Sequence, residues 1–187
     1  MHISPRDMGW IEVIVGPMFS GKTEELIKRL RRAMYARQTV RVFKPQLDNR
    51  FSENEIVSRN QMKLESTLIA NPADILELAA DVDVVGIDEV QFFPPGIVQV
   101  ADRLANAGKR VIVAGLDLDF AAQPFTQVSE LLAIGEYITK TLAICVVCGN
   151  PASRSQRLVA GGSERIVVGD VQAYEARCRK CFSPTPV

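Results

Sequence analysis

Eight consecutive residues, Gly16, Pro17, Met18, Phe19, Ser20, Gly21, Lys22 and Thr23, fit the pattern G-x-x-x-x-G-K-S/T. Such a loop binds phosphate because its glycines let successive backbone N–H groups turn toward one centre, where the next helix adds partial positive charge. Lys22 then reaches the outer phosphates of a nucleotide, and the Thr23 hydroxyl takes one position on Mg2+. A second set of residues suits a softer metal. Cys145-x-x-Cys148 and Cys178-x-x-Cys181 use all four cysteines of the chain. In a chain whose first residues, 1–9, are short of apolar character and do not read as a leader, two such pairs point to tetrahedral zinc rather than disulfides. The third set is Asp88-Glu89. An acid here, downstream of a phosphate loop, partners Mg2+ through its waters. The neighbouring Glu89 can accept a proton from a hydroxyl attacking the γ-phosphoryl group, orient a water for hydrolysis, or simply be a surface acid at a strand end.

These groups need a scaffold that brings them to one place. Trp10 to Val15 is an apolar run before the phosphate loop, and Glu24 to Ala36 carries Leu26, Ile27, Leu30 and Met34 at helical spacing behind it. Gln38 to Phe43 reads as a strand stopped by Lys44-Pro45. Residues 46–63 are polar and without period, a loop in which Asp48 and Arg50 stand close together. Arg50 could close over transferring phosphates or be solvated loop charge. Leu64 to Ala70 reads as a strand, and Pro72 to Ala80 as a helix capped by Asn71. Val82 to Ile87 and Arg110 to Ala114 are continuous apolar runs of the kind buried on both faces of a parallel sheet. Gly96 to Ala107 and Phe125 to Gly135 read as helices, and Ile138 to Ile144 leads to the first cysteine pair.

Alternating strands and helices predict an α/β, doubly wound, mainly parallel sheet. Ligands of such sheets lie beyond the carboxyl ends of the strands, so the phosphate loop, Asp88-Glu89 and Leu116-Asp117 should meet in one crevice. Phe92, Phe93, Phe120 and Phe125 fall near the same end, as a slot for a flat ring or as core packing. The expected division is a nucleotide-binding domain over 1–142 and a small zinc-bound subdomain over 143–187. In the latter, Arg154 to Val159 and Glu164 to Val168 read as a hairpin turned at Gly161-Gly162.

Composition narrows the partners. The 22 basic and 22 acidic residues cancel, which argues against a dedicated nucleic-acid binder. A mild basic bias remains from Asn150 to Lys180, with Arg154, Arg157, Arg165, Arg177, Arg179 and Lys180 against Glu164, Asp170 and Glu175. It leaves a P-loop ATPase with a nucleic-acid-binding zinc module as the alternative. No stretch is apolar enough to cross a bilayer, so a cytoplasmic protein without membrane association is expected.

GPMFSGKT, IDEVQFF, AGLDLDF with Pro124-Phe125, and two cysteine pairs bracketing a loop with a late tyrosine together resemble the zinc-containing type of thymidine kinase. The resemblance runs from the phosphate loop to Cys181. It implies transfer of the γ-phosphate of ATP to the 5′-hydroxyl of thymidine, with Glu89 as the base. Lys22, Thr23, Asp88 and Gln91 would serve ATP and Mg2+, joined by Asp48 and by Arg50 from a covering hairpin. Phe120 would stack on thymine, with Met18, Phe92, Leu116 and Phe125 around it. Arg165, Ile166, Val167, Val168, Gly169 and Tyr174 would belong to a lasso loop that reads the base, its ends pinned by a structural zinc on the four cysteines. A homotetramer inhibited by thymidine triphosphate is implied as well. The chain departs from the family at Ser58-Arg59, where many relatives have Ser-His, and carries Leu118-Asp119 at a variable place.

Overall fold

Parallel strands are covered on both faces, and the apolar runs fold accordingly. In the computed structural model, which describes residues 8–46, 55–57, 63–158 and 173–184, the chain runs through β1 (Trp10–Val15), α1 (Lys22–Tyr35), β2 (Val40–Pro45), β3 (Glu55–Val57), β4 (Lys63–Glu65), β5 (Thr67–Ile69), α2 (Asp74–Leu78) and β6 (Val84–Ile87). After a 3-10 turn at Val90–Phe92 come α3 (Ile97–Asn106), β7 (Arg110–Gly115), α4 (Thr126–Ile134) and β8 (Tyr137–Lys140). Six strands form a parallel sheet in the order β5-β2-β6-β7-β1-β8.

Alternation along the strands divides the core. Ile14, Val42, Val84 and Ile112 point to one face and pack on Leu26, Ile27 and Leu30 of α1. Ile11, Val13, Val111 and Val113 point to the other, against Ile97, Ala101 and Leu104 of α3 and Val128 and Leu131 of α4. Within the six strands of this sheet, one buried position is polar. Glu12 of β1 accepts hydrogen bonds from Trp10 Nε1 (2.9 Å), Arg110 Nε (2.6 Å) and Arg29 Nη1 (2.8 Å). Burial alone would raise its carboxyl, but these donors and the charges of Arg110 and Arg29 outweigh that and hold it below the ordinary value.

The sequence reading needs three corrections. Pro45 ends β2 from inside the ladder rather than stopping it at Phe43, with Pro45 opposite Ile69 of β5. Phe43 O accepts from Asp88 N and Gln46 N donates to Ile69 O. Alternation therefore turns the Pro45 nitrogen toward the β6 side, past that strand's last residue, where no ladder bond is lost. Residues 64–70 are two short strands rather than one. Lys63–Glu65 pairs antiparallel with Glu55–Val57, inside the stretch read as a loop, and Thr67–Ile69 joins the main sheet. Third, the helix expected over 72–80 is the short α2, although Asn71 Oδ1 does accept from Ala73 N at its start (3.2 Å).

Beyond β8 lie β9 (Ala143–Ile144), β10 (Pro151–Ala152), β11 (Arg154–Arg157) and β12 (Tyr174–Arg177), paired antiparallel as β9 with β10 and β11 with β12. Arg154–Arg157 thus pairs with Tyr174–Arg177; the hairpin expected with Glu164 to Val168 through Gly161-Gly162 falls on residues outside the described ones. Among the described residues no helix is long and apolar enough to cross a membrane.

Candidate functional site

The phosphate loop leaves β1 between β7 and β8. Gly21 takes a left-handed φ of 79° as α1 begins, a conformation that suits glycine. The loop is folded on itself: Lys22 Nζ and Ser20 Oγ both donate to Pro17 O at 2.8 Å. Outside groups hold it as well. Ser20 Oγ meets Thr141 Oγ1 at 2.8 Å, and Met18 N donates to Ser155 Oγ at 3.0 Å. Desolvation lowers the Lys22 ammonium below its ordinary value, against the raising influence of Glu89, Asp88 and Asp117. Three carboxylates that follow β6 and β7 therefore act on the lysine through their charge. Asp117 is also ion-paired to Lys140 Nζ at 2.7 Å, a bridge between the ends of β7 and β8 on either side of the loop.

Asp88 is the buried member of the acidic pair. Its Oδ2 accepts from Thr23 Oγ1 (3.3 Å) and its Oδ1 from Glu89 N (3.0 Å). Burial, and then the charge of Glu89, push it up to about 7. A hydroxyl and a carboxylate converging beside a phosphate loop form a hard oxygen donor set of the type Mg2+ takes, and a divalent cation would restore the ionised acid.

Glu89 holds a strained backbone, φ 52° and ψ 41°, at the start of the 3-10 turn. Its side chain is gripped by Gln91, whose Nε2 donates to Glu89 Oε2 while its Oε1 accepts from Leu116 N (2.9 Å). A Cβ on Gly115 would come within 2.4 Å of that Oε1, so the close passage of Gln91 requires glycine there. Gln127 Nε2 completes the support by donating to Gln91 O at 2.6 Å. Gln91, expected to serve the nucleotide directly, is 2% exposed and committed to Glu89 and the β7 end.

The four cysteines converge. Among the described residues they form the one group of His, Cys, Asp or Glu that can hold a metal ion, with the four sulfurs within 4.8 Å of one another. Cys148 Sγ and Cys178 Sγ are 3.6 Å apart. That is well beyond a disulfide and near the edge of about 3.8 Å in a tetrahedron of 2.3 Å zinc–sulfur bonds. Burial would raise the Cys145 thiol, but backbone N–H groups of Cys178, Val147 and Cys148 bring it down to about 6. Cys148 is lowered too, mainly by the Asn150 amides, whereas Cys181 is pushed up to about 12 by Cys148 and Cys178. Four thiols this close cannot all ionise unaided, and a divalent cation removes the conflict. The donor set fits zinc.

The aromatic residues separate into two roles. Phe93 and Phe125 are core, and the Phe125 ring meets the half-buried Phe92 edge-to-face at 6.5 Å. Phe120 lies apart from them, with the Arg157 guanidinium 4.2 Å above its ring. Arg157 also lies 6.0 Å from the Tyr174 ring centroid, across the β11–β12 ladder. The crevice thus places a phosphate loop, an acidic pair and a flat apolar ring at one end of the sheet. A thymidine kinase family model matches residues 9–182.

The chain belongs to the thymidine kinase family. The thymidine kinase of Rhodothermus sp. (strain ITI 518) is 55% identical over 177 residues, which is 95% of this chain and 83% of that relative. For a member of this family, the structure gathers Lys22, Thr23, Asp88, Glu89, Leu116 and Asp117 at the ends of β1, β6 and β7. It leaves Phe125 in the core and turns the Met18 amide toward Ser155 of β11. Asp48, Arg50, Arg165, Ile166, Val167, Val168 and Gly169 lie outside the described residues. Sequence reasoning missed Gln127, Lys140, Thr141, Ser155 and Arg157. Each acts through a partner more than twenty residues away, and no local pattern announces such contacts. Gly115, the last residue of β7, is the one usable hint, since it marks a close approach.

Proposed function

We propose that the protein transfers the γ-phosphoryl group of ATP to the 5′-hydroxyl of thymidine, giving ADP and thymidine monophosphate. The observation that carries this reading is the convergence of Glu89 and the phosphate loop at one rim of the sheet, in a chain of the thymidine kinase family. Lys22 and the loop amides bind the phosphates, breaking the Lys22 bond to Pro17 O. Glu89, aimed by Gln91, accepts the proton of the attacking 5′-hydroxyl, which has the right form for a general base in phosphoryl transfer. Thr23 and Asp88 would hold Mg2+, which supplies neutralisation of phosphate charge when bound. Phe120 offers its ring to thymine, with Met18, Phe92 and Leu116 nearby and Tyr174 on the opposite wall.

The reading extends to residues outside the described ones: Asp48 and Arg50 over the phosphates, and residues 165–169 as the lasso around the base. It divides the chain at 142/143, with a structural zinc on Cys145, Cys148, Cys178 and Cys181 holding the second part. A cytoplasmic setting, which keeps thiols reduced, a homotetramer and inhibition by thymidine triphosphate belong to the same reading. Purified protein with ATP and Mg2+ should consume ATP when thymidine is added and not otherwise. Steady ATP hydrolysis without an acceptor would instead mean that Glu89 orients water, and the kinase reading would fall.

A further inference from the structure

The β11–β12 ladder touches both halves of the crevice with one face. In its register Ser155 lies opposite Ala176, and Arg157 opposite Tyr174. Residues two apart in a strand share a face, so Ser155 and Arg157 point the same way. Ser155, 4% exposed, accepts the Met18 amide of the phosphate loop at 3.0 Å. Arg157 lies over the Phe120 ring at 4.2 Å. A second contact ties the loop to the same module. Phe19, held at a φ of 67°, packs against the cluster of Ala143, Cys145, Ala152, Ala176 and Cys178. Pro17 has no N–H, and the Met18 N–H is spent on Ser155, so the first half of the loop takes its shape from the ladder rather than from phosphate.

We infer that Ser155 is a positioning residue for the phosphate loop, and that through it the β11–β12 ladder couples the nucleotide cradle to the nucleoside pocket. The inference rests on the kinase reading for the identity of the two ligands. Its physical content is that both subsites bias one rigid element: thymidine settling against Phe120 acts on Arg157, nucleotide ordering the loop acts on Ser155, and the two residues are neighbours on one face of the same ladder, two positions apart. Coupling of this kind is reciprocal. It needs no contact between the ligands, and it is demonstrated only by measuring it.

The test is calorimetric titration of zinc-loaded protein with Mg·ADP and with thymidine, each alone and in the presence of the other. For Ser155→Ala the expected result is about 2- to 10-fold weaker ADP binding, the scale of one lost hydrogen bond. Thymidine alone should bind within about twofold of wild type. The factor by which thymidine changes ADP affinity should fall toward one, KM for ATP should rise with kcat nearly unchanged, and Ser155→Thr should recover most of the loss. Hydrogen exchange of the Met18 amide in the nucleotide-free wild type reports the bond directly, even if the alanine variant does not fold, and should show protection. Unchanged ADP affinity in Ser155→Ala, a coupling factor of one in wild type, or an unprotected Met18 amide would each overturn the inference. A wild type that binds ADP yet neither binds nor phosphorylates thymidine refutes the kinase reading instead.

Discussion

In the sheet, the side chains that hold the fold are Ile11, Val13, Phe43, Ile87, Ile97, Leu104 and Val113 on one face and Ile14, Leu26, Ile27 and Leu30 on the other. In the part that follows β8, the buried apolar cluster is Ala143, Cys145, Ala152, Ala176 and Cys178. Among the described residues no branched aliphatic side chain belongs to it, and Ile144, Val146 and Val147 stand exposed beside it. Alanine and cysteine bury too little area to offset the entropy of ordering their segment. The sheet is therefore expected to stand on burial alone, and the smaller part to depend on a metal held by the four cysteines that could take one. The Phe19 and Ser155 contacts make the second a support for the first.

Metal removal should break this contrast most strongly, because structural zinc is worth roughly 10 kcal/mol or more to a small module. Cys178→Ser, or exhaustive chelation, should abolish amide protection in β11 and β12 and with it thymidine binding, while the sheet keeps a cooperative unfolding transition. A zinc-free protein with an intact ladder would show that the small part folds on burial after all. Next is Glu89→Gln, expected to lower kcat by about 10²–10⁴-fold with zinc content and ligand affinities preserved. Turnover near wild type would move the chemistry away from the sheet. Leu30→Ala opens a cavity under β1 and β6 and should cost about 2–5 kcal/mol in urea unfolding, leaving the metal in place. A loss of zinc there would mean that the two parts melt together.

The smallest effect concerns Glu12. Its folded carboxyl lies below the ordinary value, so its contribution is present above the unfolded value of about 4.3 and is lost as pH falls through the lower folded one. Stability of the sheet should therefore drop with acidification below about pH 4. The same titration in Glu12→Gln should show a shallower slope. An equal slope would assign acid sensitivity to other carboxylates.

The sheet was legible because strands covered on both sides become unbroken apolar runs, as in Trp10 to Val15 and Arg110 to Ala114. The phosphate loop was legible because its glycines and lysine are adjacent in sequence. The cysteines revealed a metal site by count and spacing alone. Less could be read where long-range pairing decides. Nothing local in Arg154–Arg157 announces its pairing with Tyr174–Arg177. Glu12 looked like an ordinary strand residue until Arg29 and Arg110 were brought to it from 17 and 98 positions distant. The family resemblance implied that Gln91 serves the nucleotide, whereas its amide is engaged by Glu89 and the Leu116 N–H. Phe120 and Phe125 are five residues apart and chemically alike, and only packing separates the ring beneath Arg157 from the ring in the core of the sheet.

Glu89 sits in a backbone conformation that costs an ordinary residue about 1–2 kcal/mol and glycine almost nothing. A screen for heat tolerance alone should therefore accept Glu89→Gly, since relief of the turn raises the melting temperature by a few degrees, and under the proposed chemistry the resulting protein would be sturdier and inert. A lineage that no longer used the activity should shed the carboxylate there before it loses any residue of the sheet.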